Sequence, residues 1–317
     1  MTKKTSAMTV KQIYDLSIKM GIKTDPRGVK KVNELMKRRK EQYEKLSDKE
    51  KKYYNKAKLE NPYPECTALI GPPSKKVKRV LAGIDIETQE ALLADRLGDI
   101  DLLISHHPDW PYVHEVMDVQ VDIHNKYGVP VNVSEWLMKE RAEEIKRITR
   151  PVNHLRTADA VKLLNLSLIA QHTAVDNIGF DFMEKLIKRK KPVYIEDILD
   201  ILMNIPEYQI ATREGFGPVL FTGNKENRAG KIFVDFTGGT SPSPKIYEKF
   251  SQAGIGTIIE MHIGEDSKKE AEKHHINIIV AGHYSSDSIG MNLFLDELEK
   301  KGIEVVPCSG LIRVKRF

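Results

Sequence analysis

The chain has 317 residues, 40% of them apolar, 30% charged and 7% aromatic, with 20 Gly, 15 Pro and two cysteines, Cys66 and Cys308. That balance suits a soluble protein of about two domains and excludes collagenous, low-complexity and disulfide-framed chains. The net charge of +5 is uneven: residues 1–60 hold 18 Lys/Arg against 8 Asp/Glu, a net +10, and the rest hold 32 against 37, a net −5. A basic appendage on a mildly acidic body is therefore expected. No apolar run approaches the ~20 residues of a membrane helix. The opening MTKKTSAMTV has no apolar run behind its charge, so no secretory leader and a cytoplasmic setting are expected.

Thr9 with Gln12 forms a capping box, and Ile13, Leu16 and Met20 follow at helical spacing until Gly21 stops the helix. Asp25 then reads as an N-cap with Pro26 in the first helical position, ahead of a narrow stripe of Val29, Val32, Leu35 and Met36. Ser47 with Glu50 opens a short helix carrying Tyr53, Tyr54 and Ala57, and the Pro62 and Pro64 segment ends the unit. Residues 1–61 are thus a basic helical extension, too thinly apolar to fold alone, whose stripe should lie on the body or on another subunit. Its bases, Lys37, Arg38, Arg39, Lys40 and the lysines from 49 to 58, read as a nucleic-acid contact or as a solvated helix face. Glu34, Glu41, Glu44, Asp48 and Glu50 interleave with them and no aromatic platform alternates with them, which favours the solvated face.

From residue 62 strand-like and helical patterns alternate. Strands are expected over 77–86, 101–105, 129–133, 168–172, 232–236, 257–261, 278–281 and 304–307. Helices are expected over 88–97, 116–127, 135–149, 158–166, 180–190, 195–204, 245–253, 266–275 and 286–300. This is the α/β signature. The order divides the body into a first α/β domain, 62–180, completed by 284–317, and a second, 181–283.

Open α/β sheets place their chemistry just beyond the carboxyl ends of strands. After 101–105 come His106, His107, Pro108 and Asp109; after 168–171 come His172 and Asp176; after 278–282 come His283 and Asp287, with Gly282 allowing a tight turn into a helix. Imidazole with carboxylate and no thiolate suits divalent zinc, iron, manganese or cobalt. Adjacent histidines point to opposite faces of a strand, so at a strand end His106 and His107 can diverge onto two ions, with Asp176 or Asp287 bridging or capping them. The other His–His pair, His274 and His275, ends a charged helix, where imidazoles favour the negative terminus. His114, His124, His154 and His262 read as structural or exposed. Neither cysteine has a nucleophile's context, and no Gly-x-Ser-x-Gly elbow, Walker loop or dinucleotide fingerprint occurs. The segment 236–242 is a turn or a phosphate cradle.

At these three motifs the sequence resembles the Nif-three-like family, dinuclear-metal proteins often described as GTP cyclohydrolase I type 2 homologues. The resemblance rests on Ser105-His106-His107-Pro108, on His172-Thr173-Ala174-Val175-Asp176, and on Ala281-Gly282-His283-Tyr284-Ser285-Ser286-Asp287. It implies two similar α/β domains with a dinuclear metal site in the cleft between them. Two divalent ions would be held by His106, His107, Asp176, His283 and Asp287, with His172 beside them as the catalytic group that orients substrate or moves a proton. It also implies a homo-oligomer, commonly a hexamer. Asp287 stands where the family usually has Glu, and residues 1–61 have no obvious family counterpart. The expected activity is a metal-dependent hydrolase acting on a small molecule, a nucleotide or phosphoester, with opening of the guanine ring of GTP among the candidates. The alternative is a non-catalytic, metal-dependent binding or metal-handling protein.

Overall fold

The computed structural model describes residues 8–107, 115 and 117–317; Pro108, Asp109 and His114 lie outside the described residues. Nine strands occur among them: β1 (Leu69–Ile70), β2 (Arg79–Asp85), β3 (Leu102–His107), β4 (Leu168–Ala170), β5 (Val219–Thr222), β6 (Lys231–Asp235), β7 (Ile255–Glu260), β8 (Asn277–Val280) and β9 (Glu304–Cys308). They form two sheets, ordered β1-β4-β3-β2-β9 and β5-β8-β7-β6. Every pairing is parallel except β1 against β4 and β5 against β8. The two sheets therefore share one plan, a parallel triplet (β2-β3-β4 or β6-β7-β8) with an antiparallel strand beyond its third member.

These strands are runs of Ile, Val and Leu because helices cover both faces. Along β3, Leu102 and Ile104 enter one core while Leu103 enters the core on the opposite face. Along β7, Ile259 and Ile258 divide in the same way. Two long helices, Thr173–Lys190 and His283–Glu299, lie between the sheets. The first gives Ala174, Val175 and Ile178 to the core on the first sheet, and Phe180, Met183 and Ile187 to the core on the second. The second gives Met291, Phe294 and Leu295 to the former and Ile289 to the latter. They meet at Gly179 and Gly290, where a Cβ on Gly290 would stand 2.4 Å from the Val175 carbonyl oxygen. Only hydrogen on the Gly290 α-carbon permits this approach, since a Cβ on Gly179 would still keep 3.5 Å from its nearest neighbour.

Complete burial explains one of the expectations that fail. The first central helix starts at Thr173 rather than 180, because Thr173 through Phe180 are all buried and a helix covered all round has no amphipathic period. The expected strand 129–133 is not formed. Val131–Thr149 is one helix, entered from Pro130, with Ser134, Met138 and Ile145 facing inward. The helix Pro206–Arg213 and the strands β1 and β5 are short and carry no period that the sequence displays.

The extension lies on the body. Its first helix, Val10–Thr24, keeps the Thr9/Gln12 capping box and packs Val10, Ile13, Tyr14 and Ile18 into the core shared by the first sheet and the central helices. Gly21 does not end this helix. It lets the helix touch the Thr173–Lys190 helix, since a Cβ there would meet the Ala174 carbonyl oxygen at 2.6 Å. Asp25 is not an N-cap: the next helix, Val29–Glu44, starts after Gly28, and Asp25 instead pairs with Arg27 at 2.8 Å. That second helix buries only Val32, although Arg39 ties it down by donating to the carbonyls of Lys58 and Asn61, both at 3.0 Å. Among the described residues no helix is long and apolar enough to cross a membrane.

Candidate metal centre

The parity of β3 fixes the first two ligand candidates. His106 shares a face with Ile104 and so points at the central helices, while His107 ends the strand on the other parity. Each ring is held by its Nδ1 atom. His106 Nδ1 lies 3.1 Å from the Gln171 carbonyl oxygen, and His107 Nδ1 lies 2.7 Å from Asp85 Oδ1, at the end of the neighbouring strand β2. Both Nε2 atoms are thereby presented forward, as metal-ligating imidazoles with an oriented tautomer are.

The carboxylates arrive on the central helices. His172 is the N-cap of the Thr173–Lys190 helix and Asp176 sits in its first turn; His283 opens the His283–Glu299 helix and Asp287 lies one turn in. His106 Nε2 faces Asp176 Oδ1 at 3.2 Å and Asp287 Oδ1 at 3.5 Å. Asp287 Oδ2 faces His107 Nε2 at 3.5 Å and His283 Nε2 at 3.7 Å. His172 Nε2 faces Asp176 Oδ2 at 3.6 Å, and its ring centroid lies 5.2 Å from that of His106 and 5.6 Å from that of His107. All six residues singled out from the sequence thus converge. Their ligand atoms fall into three groups, each lying within 4.8 Å: His106, His107 and His172; His107, His283 and Asp287; and His106, Asp176 and Asp287.

The donor set fits a divalent ion on the chemistry of the residues alone. His106 Nε2, Asp176 Oδ1 and both Asp287 oxygens are buried without a hydrogen-bond partner. Buried polar atoms are rarely left in this way unless something else satisfies them. Electrostatics carries the same tension. Burial presses the His106 pKa down, but Asp287 and Asp176 outweigh it and hold it well above the ordinary value. Burial also opposes ionisation of Asp287, yet His106 and His283 bring it down to about 2. Asp176 is raised by burial. His172 is driven well below its ordinary value by burial and by its imidazole neighbours, and His283 falls to about 4 by burial, so both are neutral and free to ligate.

The cluster opens onto a cavity of about 340 Å³ that reaches from the strand ends of the first sheet to those of the second. Its surroundings include two residues that the sequence left unassigned or read otherwise. His262, which the sequence reads as structural or exposed, is exposed, yet it stands two residues beyond β7 with its ring 4.6 Å from that of His283. Asp85, which fixes His107, was legible only as a strand-ending carboxylate. The 236–242 segment forms part of the wall through Phe236, Thr237, Gly239, Thr240 and Ser241. His124, by contrast, is a core residue, fully buried with Nδ1 2.8 Å from Ser134 Oγ.

Among solved structures, a NIF3 superfamily protein from Sphaerobacter thermophilus is 28% identical and superposes with a TM-score of 0.71 over 77% of this chain and 90% of that one. The fold is NIF3-like. Reduced HcgD from Methanocaldococcus jannaschii is 16% identical over 75% of this chain and 86% of its own, with a TM-score of 0.49. TTHA1606 from Thermus thermophilus is 14% identical over 82% and 95%, with a TM-score of 0.47. No family model and no curated protein matches the sequence. The chain therefore combines the α/β fold of that NIF3 superfamily structure with a buried His/Asp cluster able to hold a metal ion.

Proposed function

We propose that this protein is a metal-dependent hydrolase built on a two-ion centre, acting on a nucleotide or phosphoester. One observation carries the reading: Asp287 belongs to two ligand groups whose other members differ, His106 with Asp176 on one side and His107 with His283 on the other. A carboxylate placed in this way would bridge two ions, since its Oδ1 faces His106 and its Oδ2 faces His107. Divalent ions held there would supply Lewis acidity and lower the pKa of water. The protein's own residues do the rest. Gln171 and Asp85 keep the His106 and His107 rings oriented, and neutral His172 stands next to Asp176 with its Nδ1 unpartnered, placed to orient a substrate.

Elemental analysis of protein purified without added metal, paired with turnover of bis(p-nitrophenyl) phosphate and of nucleoside triphosphates, tests the reading. About two equivalents of metal per chain and metal-dependent turnover are expected, with Asp287→Ala losing most of both. Metal bound without turnover of any of these substrates would reduce the protein to a metal-binding role. Equal trace metal in wild type and Asp287→Ala would remove the ligand assignment itself.

A further inference from the structure

The shared plan of the two sheets gives each of them a pair of strand-end residues at matching places. In the first sheet the last residues of β2 and β3, Asp85 and His107, are register partners and together serve the metal cluster. In the second sheet the last residues of β6 and β7, Asp235 and Glu260, are register partners in the same parallel relation, and both line the same cavity. Partners in parallel strands project to the same face. The second sheet thus repeats the arrangement with two carboxyl groups and no imidazole.

Further observations mark this end of the cavity as a ligand recess. Glu260 is 3% exposed, and its Oε1 has no hydrogen-bond partner; its Oε2 takes only the Tyr247 hydroxyl, at 3.3 Å. Gln120 is 2% exposed and lines the same cavity. Its amide nitrogen donates to the Thr240 carbonyl, which turns Oε1 the other way, buried and unpartnered. The loop is shaped for this side chain, because a Cβ on Gly238 would fall 2.3 Å from Gln120 Cγ. The recess therefore offers acceptor oxygens from Asp235, Glu260 and Gln120. Unsatisfied buried acceptors are costly, and a ligand rich in N–H donors is their natural complement. A hard metal ion is disfavoured. Such ions take six or more oxygens, and these carboxylates are not among the groups of three side chains whose ligand atoms converge.

We propose that Asp235, Glu260 and Gln120 form a second subsite that binds an amidine- or guanidine-like group, placing the far end of the substrate while its scissile bond lies at the metal cluster. The inference rests on the cavity being a substrate site, as proposed above. Burial pushes Asp235 up to about 7, and burial together with Asp235 raises Glu260 well above the usual range, so the empty pair holds protons that a planar N–H cation would replace. Specificity follows from charge: a donor-bearing cation gains several charge-assisted hydrogen bonds to the ionised carboxyls, whereas a neutral or anionic group gains none of these.

Benzamidine is the probe, with benzamide and benzoate as neutral and anionic isosteres, titrated calorimetrically into the metal-loaded protein. Benzamidine should bind at least tenfold more tightly than benzamide, and benzoate should not bind. Glu260→Gln and Asp235→Asn should each weaken benzamidine at least tenfold while retaining the wild-type metal content and melting temperature. Gln120→Leu, which leaves both carboxyls in place, should weaken it less and serves if either carboxyl variant fails to fold. Metal content is read in every variant, so failure of the metal centre is distinguished from failure of the subsite. Equal affinity for benzamidine and benzamide would overturn the proposal, as would unchanged binding by the variants. Displacement of benzamidine by millimolar Ca²⁺ or Mg²⁺ would overturn it too, by assigning the recess to a hard cation.

Discussion

At the scale of single residues, the cluster owes its form to side chains that never face a substrate. Asp85 fixes the His107 ring from the next strand, and carboxylates that brace a ligating imidazole in this way typically matter 10–100-fold in metal affinity. Asp85→Ala should therefore weaken metal binding by about that factor without changing the far-ultraviolet circular dichroism; unchanged affinity would show that β3 alone orients the ring. The ligands themselves were legible because strand, imidazole and carboxylate follow one another in sequence. Asp85 and His262 were not, since their contacts run across strands and between chain segments. His124 gives a separate prediction about stability. Burial takes its pKa from 6.5 down to about 3, so the folded state resists a proton that the unfolded chain accepts. Its contribution is complete above pH 6.5 and declines by about 1.4 kcal/mol per pH unit as pH falls toward 3. Denaturant melts of wild type and His124→Gln should therefore converge as pH is lowered through this window, and a constant difference would contradict the assignment.

At the scale of elements, the two central helices decide whether the carboxylates meet. Each carries His, then Asp four residues on, then Gly three residues further: His172, Asp176 and Gly179 on one, His283, Asp287 and Gly290 on the other. The repeat is present in the sequence, but the turns that carry it, 172–180 and 285–292, are buried and show no polar face against which a period could be read. Gly→Ala within a helix usually stabilises by roughly 0.5–1 kcal/mol. At Gly290 and Gly21 the new methyl meets backbone at 2.4 Å and 2.6 Å, so the sign should reverse. Destabilisation of about 1–3 kcal/mol in urea melts is expected for each variant, as for overpacked cores. Gly290→Ala should lose metal as well, whereas Gly21→Ala, which acts on the extension, should lose less. Neutral or stabilised variants would mean that the helices can separate without cost.

At the scale of the whole molecule, two sheets of the same plan face one cavity across a pair of shared helices, and the extension closes the outer side of that pair. The alternation of elements made the α/β class legible, and the thin apolar stripe of residues 1–61 indicated that it must lie on something. Of the residues that the sequence named in the first helix, Ile13 enters the core fully while Leu16 and Met20 only border it, and Val10, Tyr14 and Ile18 enter it without having been named. Removing residues 1–27 would strip this cover from the core that holds Ile178 and Phe294, and the truncated chain should be markedly less stable to heat than the full one. A truncated chain melting at the same temperature would make the extension an independent appendage. The most direct test of the two-ion centre is anomalous diffraction from crystals grown with Mn²⁺ or Zn²⁺. Two peaks are expected within ligand distance of Asp287, one also reached by His106 and Asp176 and the other by His107 and His283. A single peak away from Asp287, or none, would contradict the shared-carboxylate centre.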